Sequence, residues 1–146
     1  MTEQTSSVNS TLDNTRTVET FLYALQDQDF DRAQGVVADN LVWENAGWPT
    51  MRGGRRVINI FRSMAGRGGF EVKIHRIAAE GTAVLTERTD ALVFGPIRVH
   101  FWVCGAFEVH AGRITHWRDY FDVYDFLKGT LRGIAGAVIP SLRPTM

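Results

Sequence analysis

The sequence predicts an α+β fold, with helices packed on one face of a curved antiparallel sheet. Three observations carry this. Apolar residues recur at helical spacing in the first half of the chain. After residue 70 the texture turns to strand-like segments rich in Val, Ile, Thr and aromatics. The joints between those segments are short, which makes the strands antiparallel neighbours.

Residues 1 to about 10 are polar and read as a loose arm. Val18, Phe21, Leu22 and Leu25 then follow the stripe of an amphipathic helix. A second short helix is predicted over about 29 to 38, with Phe30, Ala33 and Val37 inward. Leu41 to Asn45 reads as a short strand, and AGWPTMRGG breaks regular structure. Val57, Ile60, Phe61 and Met64 suggest a third helix, closed by GRGG. The segments FEVKIHRIAA, TAVLTERTDALVF, IRVHFWVCGAFEV and RITHWRDYFDVY follow as strands, separated by EG, GP and HAG. A last helix, about 123 to 140, carries Val123, Leu127, Leu131, Ile134 and Val138 on one stripe and stops at Pro140. With no internal repeat and no linker, residues 1–146 are expected to form a single domain.

Composition narrows the function. Sixteen basic residues balance sixteen acidic ones, so no net field favours nucleic acid or an anionic membrane. The arginines at 52, 55, 56, 62 and 67 read as a solvated helix face. GIAGAVIP is too short for a membrane span, which needs about 20 residues. The N-terminus lacks the layout of a signal peptide. A soluble cytoplasmic protein is therefore expected. The four histidines are scattered without ligand-like spacing, and no metal site is expected. Cys104, the one cysteine, reads as a small buried apolar residue in mid-strand. Phe94, Phe101, Trp102, Phe107 and Phe126 read as core, some of them pocket-lining.

The informative positions are polar residues on faces that should be apolar. Strand side chains alternate, so Val84, Thr86, Arg88, Asp90 and Leu92 share one face. Trp117, Asp119 and Phe121 share a face of the last strand, and Trp43 and Asn45 do so on the early one. An inward aspartate requires a countercharge or a shifted pKa. Arg88 could supply the charge to both acids, since its fork carries five donors. A cluster of two acids and one arginine would favour retention of one proton, giving an acid and a base in one site. The pattern alone also admits a solvent-exposed Arg–Asp ladder pair of little energetic value.

VWENAG, TERTDAL and GAFEVHAGRITHWRDYFDV, with their spacing, resemble the limonene-1,2-epoxide hydrolase family. The resemblance covers about residues 15 to 127, and the tail beyond is most similar to actinobacterial, mycobacterial-type members. It implies a cystatin-like (NTF2-like) cone: a mixed, mostly antiparallel sheet of about six strands, with helices closing a deep pocket. It also implies a homodimer, no metal or organic cofactor, and one-step addition of water to an epoxide. By that resemblance Asp90 corresponds to the general acid, Asp119 to the general base, Arg88 to the bridge between them, and Asn45 to the amide holding water. Trp43 stands where the family usually has tyrosine. A phenol donates and accepts, whereas an indole N–H only donates. Trp43, Trp117 and Phe121 are expected to line the pocket, which would take a small apolar epoxide and water. An isomerase or cyclase on the same fold, acting on a steroid-like or polyketide substrate, and a non-catalytic carrier of apolar ligands are the alternatives.

Overall fold

A computed structural model of the chain describes residues 2–146, with side chains from residue 4. Four helices lie against a six-stranded, curved and unclosed sheet. The helices are α1 (Thr2–Gln26), α2 (Phe30–Gly35), α3 (Gly54–Met64) and α4 (Val123–Val138), followed by a 3₁₀ turn, Pro140–Leu142. The strands are β1 (Val37–Asn45), β2 (Met51–Arg52), β3 (Gly68–Glu80), β4 (Ala83–Phe94), β5 (Ile97–His110) and β6 (Arg113–Tyr120). Their order is β2-β1-β6-β5-β4-β3, antiparallel throughout except for the parallel pair β1–β6.

The α1 stripe packs as its spacing requires: Val18, Phe21, Leu22 and Leu25 are buried against the sheet. The helix also runs back to Thr2, where the sequence suggested a loose arm. Extending a helix that is already nucleated adds a hydrogen bond per residue fixed. The Ser7 and Thr11 hydroxyls return bonds to Gln4 O and Ser7 O. The second helix ends at Gly35 rather than near 38, and Val37 is buried as the first residue of β1 instead. Strand β2, two residues long, had no signal of its own and exists only by pairing with Val42 and Trp43.

Three hairpins build the long sheet. The β5–β6 turn places Ala111 and Gly112 both at positive φ, the geometry that matches strand twist in a two-residue turn. Strand β5 outruns β6, and its first half has no strand on that side. Helix α4 covers this edge. Gly129 and Gly133 lie against the carbonyls of His100 and Arg98, where any Cβ would collide. The Asp125 carboxylate accepts from Trp102 N–H at 3.1 Å. Asp122 caps the same helix by accepting from Tyr124 N–H at 2.7 Å. The glycine face turned to β5 leaves the α4 apolar stripe outward: Leu131 is 60% and Val138 78% exposed.

Three core assignments from the sequence fail. Cys104 and Trp102 lie exposed on the outer face of β5, and Phe94 is exposed at the end of β4. Trp102 stacks on His75 there, so an outer sheet face carries residues that read as core. Among the described residues no helix is long and apolar enough to cross a membrane.

Candidate active site

The inward face of β4 is charged and buried. Thr86, Arg88 and Asp90 are all buried, and Arg88 has no solvent exposure. The exposed-ladder reading is excluded for this pair. Arg88 Nε and Nη2 donate to the two oxygens of Asp90 at 2.8 and 3.0 Å, a bidentate contact. Nη2 also reaches Asp119 Oδ1, across on β6, at 2.7 Å. On the opposite edge of the guanidinium, Nη1 donates to Thr86 Oγ1 at 3.0 Å. The Phe107 ring lies 5.9 Å from the guanidinium carbon.

Asp119 is almost wholly buried, and its Oδ1 accepts a second bond from Trp117 Nε1 at 2.8 Å. The register places Thr86 opposite Gly105, Gly105 opposite Asp119, and Asp119 opposite Asn45, so one row crosses four strands. Gly105 is a glycine by necessity: a Cβ would overlap Arg88 Nη1 and come within 2.8 Å of Thr86 Oγ1 and 3.0 Å of Asp119 Oδ1.

Burial pushes Asp90 up to about 6, against the opposing charge and hydrogen bonds of Arg88, while the charge of Asp119 adds to the rise. Burial raises Asp119 as well, although Arg88 and the Trp117 N–H favour its ionised form. For Arg88, burial works toward neutrality but Asp119 and Asp90 outweigh it; the guanidinium is held charged. Two ionised acids on one cation would leave a buried net charge of −1. One shared proton removes it, and the pair titrates as a unit.

Asp90 and Asp119 open onto a cavity of about 500 Å³ whose lining is otherwise mostly apolar. Arg88 is not part of the lining; it sits behind both acids. Asn45, Trp43, Trp117 and Phe121 all line the cavity, as the sequence suggested. The Asn45 carboxamide makes no hydrogen bond to protein among the described residues, so its donors and acceptor are available. Trp43 stacks on Trp117 at 4.7 Å, and its buried Nε1 has no hydrogen-bond partner among the described residues. At another side, Phe101, Phe121 and Phe126 form a three-ring wall with centroids 5.0 to 5.9 Å apart.

Sequence reasoning missed several contributors. Arg56, read as part of a solvated helix face, is exposed but also lines the cavity, as do Trp48, Pro49 and Thr50 of the β1–β2 loop. Gly105 carried a signal, since glycine inside a strand marks close approach of another group. A second groove of about 720 Å³ runs along α3 beside Asp39, Arg55 and Asn59, and none of the buried acids borders it.

A family model described as the limonene-1,2-epoxide hydrolase catalytic domain matches residues 12–132. The chain belongs to the limonene-1,2-epoxide hydrolase family. Over 129 residues it is 63% identical to epoxide hydrolase EphG of Mycobacterium tuberculosis, covering 88% of this chain and 87% of that one. The solved structure of an M. tuberculosis LEH-like epoxide hydrolase is 61% identical, with a TM-score of 0.91 over 93% of this chain and 97% of the other. An NTF2-like protein from Burkholderia xenovorans LB400, 24% identical, superposes with a TM-score of 0.66 over 83% of this chain and 98% of its own. That last likeness shows the NTF2-like fold alone.

Proposed function

We propose that the chain is a cofactor-independent epoxide hydrolase that adds water to an apolar epoxide in one concerted step, giving a vicinal diol. The observation that supports this most directly is the buried Asp90–Arg88–Asp119 bridge at an otherwise mostly apolar cavity, with each acid on its own strand. Asn45 and Asp119 hold a water. Asp119 removes its proton as the oxygen attacks an epoxide carbon. The carbon–oxygen bond on that carbon breaks, and Asp90 gives its proton to the departing oxygen. Each such proton transfer is typically worth about 10²–10⁴-fold. The proton gained by Asp119 must return to Asp90 before the next turnover, and Arg88 holds the two acids at fixed distances meanwhile. A guanidinium clamped between carboxylates suits this better than an isomerase, which needs a neutral donor at an enolate oxygen.

The test is incubation with limonene oxide, cyclohexene oxide and a bulky epoxide in ¹⁸O-labelled water. Labelled diol in the first turnover is expected. Label retained on a protein carboxylate, or hydrolysis surviving Asp90→Asn or Asp119→Asn, would sink the mechanism. Absence of diol alongside tight binding of an apolar ligand would favour a carrier.

The reading extends to a homodimer. Val123, Tyr124, Leu127, Leu131, Ile134, Val138, Ile139 and Leu142 are each 44% exposed or more. Together they make an exposed apolar stripe along α4 and the turn after it, and a standard interface takes about 800 Å² from each partner. Leu131→Glu at its centre is expected to yield a monomer by sedimentation; an unchanged mass would remove this face as the interface.

A further inference from the structure

We infer that Thr86 and Gly105 form the seat that aims Arg88, which makes Thr86 a positioning residue for the two acids. The inference rests on the epoxide hydrolase reading for its kinetic consequence and on geometry for the rest. Arg88 has five N–H donors, and three of them are directed to the carboxylates of Asp90 and Asp119. Nε–H and one Nη2 N–H face Asp90 along one edge of the guanidinium, and the second Nη2 N–H faces Asp119. Thr86 Oγ1 is the partner of Nη1 on the other side, and the group is fully buried, so no solvent can replace it. The threonine hydroxyl points its own proton toward Gly105 O, at 3.5 Å, which leaves its lone pairs for Nη1.

Gly105 supplies the space. It is the residue between Thr86 and Asp119 in the register row, and a side chain there would strike Arg88, Thr86 and Asp119 together. All three atoms struck are side-chain tips rather than backbone. A methyl at this position would therefore displace the clamp before it displaced the sheet. Removing the Thr86 oxygen acts from the other direction. The orphaned N–H turns the guanidinium to find a partner, and the single contact that ties Asp119 to Asp90 through Nη2 is the one it loses.

The variants are Thr86→Val, which keeps the shape and removes the acceptor, and Thr86→Ser, which restores it. The carboxyl carbons of Asp90 and Asp119 are followed by ¹³C NMR against pH in each protein. Besides these two acids, Arg56 is the charged group in the cavity lining, and Arg88 is the charged group behind it; β1, β5 and α4 present only neutral side chains there. Losing part of the Arg88 contact disfavours ionised Asp119, so Thr86→Val is expected to raise its midpoint by about one pH unit. The acid limb of kcat should move up with it, and kcat at the optimum should fall about tenfold at nearly constant KM. Thr86→Ser should restore both. Gly105→Ala should fold and show the same shift more strongly. An unchanged carboxyl titration in Thr86→Val overturns the inference, whatever the activity. If the wild-type protein makes no diol, the titration still decides the seat, and only the epoxide reading fails.

Discussion

The floor and the wall of the cavity are built on different principles. The floor stands on three strands: Asp90 and Asp119 are tied to Arg88 beneath by charged hydrogen bonds of 2.7 to 3.0 Å, with Asn45 beside them. Arg88 and the two acids are thus linked as one hydrogen-bonded unit. The rings of the wall, Phe101, Phe121 and Phe126, meet one another by aromatic contacts and not by charged hydrogen bonds. Phe126 belongs to α4, a helix seated on β5 through glycines and bare on its other face. The floor fixes what reaction is possible, whereas the wall shapes the apolar space and takes one of its three rings from α4. Chemistry and substrate fit thus occupy parts of the site held by different kinds of contact.

That contrast can be broken by mutation. Floor variants should lose turnover: Asp119→Asn and Asp90→Asn are each expected to lower kcat by at least about 10³-fold with the fold intact by circular dichroism. A next and smaller effect concerns stability. The Asp90 pKa, ordinarily 3.8, is raised to about 6 in the fold, so the native state binds the extra proton between those values. Stability therefore falls as pH rises across that window and levels off above it. Asp90→Asn removes the titration, and its stability relative to wild type should improve from pH 4 to pH 7 by up to about 3 kcal/mol in urea melts. A constant gap would mean that the proton is not held at this site.

Wall variants should behave otherwise. Phe126→Ala is expected to raise KM for a bulky epoxide about tenfold and leave kcat within about threefold, since it removes a ring contact rather than a charge. A kcat collapse there would erase the distinction between floor and wall. The smallest effect is assigned to Trp43→Tyr. Its indole N–H is a buried donor without a hydrogen-bond partner among the described residues, and a phenol could also accept. Turnover of small epoxides should rise by about threefold; an equal or lower rate would show that the indole is useful.

How much of this could be read from the chain depended on which face was being read. Arg88, Asp90 and Asp119 were legible because Val84, Leu92, Trp117 and Phe121 mark their faces as inward under period-two alternation. Val37 misled because it continues the Phe30–Ala33 helical spacing while belonging to β1. Trp102 and Cys104 misled because an apolar side chain on a sheet does not say which face is covered. The α4 stripe has the same limit: spacing identifies residues that share a face and is silent on what meets it. Arg56 needed the curvature of the sheet, which no local pattern contains.

The parallel pairing of β1 with β6 has a consequence for assembly. Asn45 and Asp119 become neighbours only when the last strand docks against the first, so their contact closes one of the longest loops in the chain. Non-local pairings of this kind are slow to form. A nascent chain that has not yet produced residue 113 lacks one acid, one of the stacked tryptophans and two of the three wall phenylalanines. Recovery of diol formation during refolding would therefore time the arrival of a single strand.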